Sequence, residues 1–342
     1  MPPTGLKNWP DIAGAYTQSF LIGNGASIAF SAGFHYKDLL GYAGSLGLLT
    51  PEISALFKHF NTTDFELVLR LVWQAHELNA MLRIQEAETH RAYDALRDAL
   101  IRVVRQAHPP YDDVALKLAA FASLLRHFDT VISLNYDLIL YWAHMYSNNM
   151  VPSVAFKDCF IDGVFRNDWQ TLRQSLPGTS KSILVFYPHG NLALGVSPDG
   201  SERKIHVSDS LDLLTQLEAR WQHDRWLPLF VSEGTSQEKL ASVYRSTYLA
   251  TVLQEVLLSI GVSLAVFGWS FGEADDHILR AILGGRLRRI AVSVHTSNPD
   301  WRDFREDVRR RVRKASRPGY RPHVEFFDAE TMPLTTNPLP PL

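Results

Sequence analysis

The feature that most constrains this chain is a set of short apolar runs rich in β-branched and aromatic residues. They fall at 19–22 (SFLI), 130–134 (TVISL), 182–187 (SILVFY), 228–231 (PLFV), 263–267 (SLAVF), 289–294 (RIAVSV) and 323–327 (HVEFF). Each is as short as a strand and lacks the polar alternation of a half-exposed one, so each reads as a buried strand. From 182 onward most are separated by helix-period segments, including 236–260, 274–284 and 299–315. Strand and helix in alternation is the signature of crossover units around a mostly parallel sheet. The expected fold class is therefore α/β, a Rossmann-like, doubly wound, mostly parallel sheet.

The stretch from about 37 to 128 differs. It carries no strand signal, and helical spacing dominates in DFELVLRLVWQAHEL and DDVALKLAAFASLLRHF. It reads as a helical insertion after the first strand. The expected organisation is a first strand and phosphate loop over 1–36, the insertion over 37–128, the rest of the core over 129–330, and a proline-rich flexible tail over 331–342.

Composition bounds the partners. The 342 residues are 46% hydrophobic with a formal net charge of −2, which gives no global attraction to nucleic acid or anionic membrane. Cys159 is the only cysteine, so an intrachain disulfide or a multi-cysteine zinc site is excluded and a reducing cytoplasm is expected. No signal-peptide pattern opens the chain, and the longest apolar run, Tyr248 to Phe271, is interrupted by Gln254 and Glu255, so no membrane span is expected.

Polar motifs stand at the strand ends. The first strand runs into Gly23-Asn24-Gly25-Ala26-Ser27, where glycines allow close backbone approach and helix-start amides favour a phosphate. Its plainer reading is a glycine turn packing strand on helix. The second strand ends in Asn135-Tyr136-Asp137 and the next clear one in His189-Gly190. Singly, Asn135 or Asp137 reads equally as a cap for a helix starting near Leu138, and His189 as a core histidine. Jointly, all three stand where a parallel sheet opens onto its ligand crevice.

This ordered set resembles the sirtuin superfamily, in particular the sirtuin-like NAD⁺ hydrolases of bacterial anti-phage defence. The family's glycine-rich loop, Asn-x-Asp, His-Gly and late Gly-x-Ser with an acidic residue correspond here to Gly23–Ser27, Asn135-Tyr136-Asp137, His189-Gly190, and Gly268-Trp269-Ser270 with Asp275. The segment LFVSEGTSQEKL, Leu229 to Leu240, is similar to an element of bacterial relatives. The resemblance spans roughly residues 18 to 328. Two departures set the chain apart from sirtuin deacylases: one cysteine cannot build their four-cysteine zinc lobe, and Ile28-Ala29-Phe30-Ser31-Ala32 stands where they carry an Ile-Pro-Asp-Phe-Arg stretch.

The resemblance implies NAD⁺ as substrate, no metal, and cleavage to nicotinamide and ADP-ribose. Nicotinamide departs as a neutral molecule, so the protein has to stabilise an oxocarbenium-like sugar and aim a water. Asn135 is expected to aim it, His189 to accept a proton, and Asp137 to orient its neighbours or stabilise positive charge. Gly23, Asn24, Gly25, Ala26 and Ser27 are expected to hold the pyrophosphate, Gly268 and Ser270 to reach ribose or phosphate from the far side, and Asp275 either to join them or to cap the next helix. The implied setting is a cytoplasmic effector with an activating partner, an Argonaute-like protein or an NTPase sensor, or a homo-oligomer. Two rivals are a catalytically silent nucleotide-binding or scaffold subunit and an NAD-dependent protein deacylase.

One feature lies outside the resemblance. Between Arg280 and Arg321 there are thirteen Lys/Arg against four Asp/Glu. On a helix, Trp301, Phe304, Val308 and Val312 make an inward stripe with the arginines outward. Direct nucleic-acid contact is expected, if anywhere, through this basic 302–317 helix; the plainer reading is a solvated face.

Overall fold

The computed structural model describes residues 5–31, 39–85, 87–197, 200–205, 213–223, 226–231 and 234–335. Ala32, part of the tail expected over 331–342, and Ser232 and Glu233 of the LFVSEGTSQEKL segment lie outside the described residues. The chain opens with α1 (Trp9–Ile12), β1 (Ser19–Ile22) and α2 (Asn24–Phe30), followed by α3 (Leu39–Ser45), α4 (Pro51–His59), α5 (Phe65–Met81), α6 (Glu88–Ala107) and α7 (Tyr111–Leu125). Then come β2 (Thr130–Ser133), α8 (Ile139–Met150), β3 (Val154–Lys157), β4 (Phe160–Ile161), β5 (Val164–Phe165), β6 (Lys181–Phe186), β7 (Gly190–Val196) and β8 (Glu202–Lys204). The last third holds α9 (Leu213–His223), β9 (Leu227–Phe230), α10 (Ser236–Val243), α11 (Thr247–Thr251), β10 (Ser263–Phe267), α12 (Asp276–Gly284), β11 (Arg289–Val294), α13 (Trp301–Ala315) and β12 (His323–Asp328).

Seven strands form one parallel sheet in the order β12-β11-β10-β1-β2-β6-β3. This is the expected Rossmann-like, doubly wound α/β fold. Strand β1 is flanked by β2 on one side and β10 on the other, with Ser19 level with both Thr130 and Leu264. The chain therefore winds away from β1 in one direction and later in the other, which leaves a crevice at the carboxyl ends of β1 and β10. All four residues of β1 and all five of β10 are buried, as their unbroken apolar runs require.

The 228–231 run departs from its expected setting. It forms β9, which belongs to a separate three-stranded antiparallel sheet in the order β8-β7-β9. The 236–260 helix is also broken. Ser246 caps α11 by accepting Leu249 N–H at 3.1 Å, and α11 passes into a π-helical turn at Val252–Val256. A hydroxyl cap starts a new helix wherever the preceding turn has released its amides.

Helices α3–α7 make up the expected insertion between β1 and β2, and they share one core with the sheet. Phe57, Val68, Tyr93 and Leu118 belong to the same buried cluster as Phe20 and Val131. Phe20 of β1 stacks on Phe128, ring centroids 4.6 Å apart, a pair that adds about 1 kcal/mol to its burial. From α7, Lys117 Nζ donates to the carbonyl of Phe30, so a cation of the insertion closes the end of α2. On α13, Trp301, Val308 and Val312 are buried and Phe304 is half-buried, as the stripe predicts. Arg311 is an exception to the outward arginines: it turns to Asp307 at 2.9 Å, Glu273 at 3.3 Å and Asp276 at 3.5 Å.

Candidate functional site

A cleft of about 530 Å³ opens at the switch point between β1 and β10, within the size range of small-molecule sites. Its lining comes from five strand ends and from α2, α3 and α10, with Ile28 on α2, Leu39 on α3 and Val231 after β9. Gly23, Asn24 and Gly25 follow β1, Leu134 to Asp137 follow β2, His189 follows β6, and Gly268, Trp269, Ser270 and Asp275 follow β10. Lys239 enters from α10. The structure thus brings together Asn135, Asp137, His189, Gly23, Asn24, Gly25, Gly268, Ser270 and Asp275 of the sequence-derived set.

Ala26 and Ser27 do not belong to the lining. Both are buried one turn inside α2, and the Ser27 hydroxyl faces the second strand's loop instead of the cleft. It accepts from Asn135 Nδ2 at 2.8 Å and donates to Asp137 Oδ2. Ser27 is therefore a bracket between the two polar residues, not a phosphate donor. Asn135 Nδ2 also donates to the Gly23 carbonyl at 3.0 Å, so both amide hydrogens are engaged within the chain. Only Oδ1 remains to meet a ligand, which restricts Asn135 to accepting a hydrogen bond.

The glycines that line the cleft also hold two loops together. Gly25 N–H donates to the Gly268 carbonyl at 2.8 Å and Gly23 N–H to the Phe267 carbonyl at 2.9 Å. A Cβ on Gly25 would stand 2.7 Å from Gly268 Cα, and one on Gly23 2.7 Å from Gly268 O. The loops after β1 and β10 meet backbone to backbone, and that contact alone excludes side chains here. Gly268 itself is at φ 69, where glycine is favoured. Gly190 of the His-Gly pair has an analogous reason: it is at φ 76 and its Cβ would lie 2.0 Å from the Leu229 carbonyl oxygen.

Asp137 takes up its capping role and also lines the cleft. Oδ1 accepts Ile139 N–H at 2.9 Å, which caps the start of α8, while the carboxyl also lines the cleft. Burial raises its pKa to about 6, against the opposing hydrogen bonds from Ser27 and Ile139. The loop is fastened from outside as well. Asn191 Nδ2 donates to the Asp137 carbonyl at 2.7 Å, and Leu138 N–H donates to His108 Nε2 at 2.9 Å.

His189 is 3% exposed, and Val231 N–H donates to its carbonyl at 2.7 Å. Its Nε2 lies 3.0 Å from His277 Nε2 and 3.9 Å from Asp275 Oδ1. Burial drives its pKa down, and Lys239 and His277 add to the effect, so the ring is neutral near pH 7. Asp275 does not cap α12. It accepts from Lys239 Nζ at 2.9 Å and from Trp269 Nε1 at 3.1 Å. Burial opposes its charge, yet its neighbours hold its pKa below the ordinary carboxylate range.

Lys239, His277 and Asn191 complete the site and were not among the sequence-derived residues. Lys239 is 8% exposed and is the only cationic side chain in the described lining. It is positioned by the Thr235–Glu238 capping box that starts α10. That box is visible as T-S-Q-E in the LFVSEGTSQEKL segment, and His277 ends the GWSFGEADDH stretch, so both had a signal. Asn191 directly follows His189-Gly190.

Fold and cleft together define a doubly wound α/β protein with a polar cleft at its switch point. The chain belongs to the family described as Domain of unknown function (DUF4917), whose model matches residues 20–334, from β1 to beyond β12. No curated protein matches it. Among the described residues no helix is long and apolar enough to cross a membrane.

Proposed function

We propose that this protein is an NAD⁺ glycohydrolase, cleaving NAD⁺ to nicotinamide and ADP-ribose as a partner-activated effector of bacterial anti-phage or anti-plasmid defence. The observation that carries the reading is the meeting of Asn135, Asp137 and His189 in one cleft at the switch point. The order of these motifs along the chain supports the nicotinamide nucleotide in particular.

The chemistry asks little of the protein. The C1′–N bond breaks with its electron pair leaving on nicotinamide nitrogen, and a water oxygen bonds to C1′. Asn135 Oδ1 accepts from that water or from a ribose hydroxyl. Neutral His189 takes up the proton that the water loses. Lys239 supplies positive charge for the pyrophosphate, although Asp275 holds it at 2.9 Å. Trp269 and Ser270 line the same cleft from the end of β10.

The test is incubation of the purified chain with NAD⁺, with and without the products of neighbouring genes, and chromatography for nicotinamide and ADP-ribose. Release of both supports the reading; intact NAD⁺ under every condition overturns it. A catalytically silent nucleotide-binding subunit is the second reading, favoured by the internal hydrogen bonds that already engage Asn135 Nδ2 and His189 Nε2. It requires ADP-ribose to bind while NAD⁺ stays whole.

A further inference from the structure

Helix α13 carries a second kind of order beside its buried stripe. Arg302 Cζ lies 4.5 Å from the Trp301 ring centroid, and Arg309 Cζ lies 4.9 Å from that of Phe326 on β12. Between them, Arg305 Cζ lies 5.5 Å from Trp301 and 5.1 Å from Phe326. Each guanidinium is therefore within cation–π range of a ring, and rings and cations alternate along one stripe. Both rings are buried, so the row that reaches solvent is cationic: Arg302 and Arg309 are exposed and Arg305 is half-buried.

The row lacks the counter-ions of a structural cation. Among the described residues the ion pairs of α13 use Arg310 and Arg311, which turn to Asp307, Asp276 and Glu273. No carboxylate among the described residues pairs with Arg302, Arg305 or Arg309, and Arg305 Nε is withdrawn from water without a hydrogen-bond partner. Burial, and then the charges of Arg309 and Arg302, push the Arg305 guanidinium below its ordinary value. Three like charges thus stand together on apolar rings.

The surroundings narrow the kind of occupant. Among the described residues no exposed large hydrophobic side chain stands on α13 or β12. The core of a protein interface is apolar, and a membrane-binding helix sinks apolar side chains into lipid. This face has neither feature. A repeated phosphate suits it, because guanidinium forks match phosphate oxygens in bidentate pairs. The buried rings leave no platform on which bases could stack. We infer that the row of Arg302, Arg305 and Arg309 binds the phosphodiester backbone of a nucleic acid without reading its sequence. The chain's net charge of −2 makes this a local site and not a general attraction. The inference does not rest on the hydrolase reading.

The experiment follows fluorescence anisotropy of labelled, mixed-sequence single-stranded DNA, single-stranded RNA and duplex DNA with the full chain, between about 50 and 200 mM salt. Three phosphate contacts predict a slope of log K against log salt of about −2 for a single strand or about −3 for a duplex. The tightest of the three probes identifies the form of nucleic acid. Arg302→Gln/Arg309→Gln removes only exposed heads, so the fold is kept; it should lower affinity at least about tenfold and cut the slope to about a third. Arg305→Gln should lower the slope by a further contact. Arg102→Gln, an exposed arginine on α6, should leave both unchanged. Parental affinity and slope in the double variant, or an equal loss in Arg102→Gln, overturns the inference. So does a chain that binds none of the three nucleic acids at about 50 mM salt, whether or not it binds polyglutamate or phosphatidylserine vesicles instead.

Discussion

Lys239 Nζ lies 2.9 Å from Asp275 Oδ1 beside His189, and both side chains are largely withdrawn from solvent. Such a pair is sensitive to losing one member, because the survivor keeps its desolvation penalty without its partner. Lys239→Met should therefore destabilise the chain by about 3 kcal/mol and weaken ADP-ribose binding at least about tenfold. Calorimetric titration with ADP-ribose and urea unfolding check the two effects separately. Parental affinity in a folded Lys239→Met chain would exclude Lys239 from the ligand.

Asn135→Ala and His189→Ala address the proposed reaction. Each should lower NAD⁺ cleavage by orders of magnitude, since removing one member of a cooperating set disables it. Asn135→Ala leaves Ser27 and the Gly23 carbonyl without their donor, so its stability should also fall by about 1–2 kcal/mol. Parental rates of nicotinamide release in both variants would dismiss the site.

Gly25→Ala tests the meeting of the two loops. A methyl 2.7 Å from Gly268 Cα has no flexible side chain to displace, so the loops must part. The expected loss is about 3 kcal/mol of stability, read as a lower urea midpoint even without ligand. A stable variant with weakened ADP-ribose binding alone would show that Gly25 serves the ligand after all.

Acid should destabilise the protein, and the sign can be worked out group by group. Burial lowers the pKa of His108, His144 and His277 to about 4 and depresses that of His189. Their contribution is fully present above the unfolded value near 6.5 and is lost as pH falls toward about 4, about 3 kcal/mol each for His108 and His144. Asp137 acts in the opposite sense. Its raised pKa of about 6 gives a contribution present below about pH 4 and lost as pH rises through 6. Stability should decline from about pH 6.5 downward, and more steeply in Asp137→Asn. Urea midpoints over this range measure both; a flat profile in the parent would contradict the buried neutral histidines.

Much of this arrangement is legible in the sequence because it rests on local signals. Strands buried on both faces show as unbroken runs such as SLAVF, and polar residues at their ends mark the crevice. Residues whose direction depends on tertiary packing are not legible. Ser27 reads as a phosphate donor until α2 turns it toward Asp137. β3 and β7 go unnoticed: β3 is a four-residue edge strand, and β7, GNLALGV, takes its form from pairing with β8 and β9. The capping box before Lys239 and the GWSFGEADDH stretch mark helix starts, and only the docking of α10 against α12 brings Lys239 and His277 beside His189.

The central position of β1 also bears on how the protein is made. During synthesis β1 emerges before both neighbours and gains β2 once Thr130–Ser133 follow, yet its other edge waits for Ser263–Phe267. Until then the nascent chain exposes an unpaired apolar strand edge, the kind of surface that chaperones shield. The crevice cannot exist in any ribosome-bound intermediate that lacks β10, so a chain terminated before it lacks the cleft.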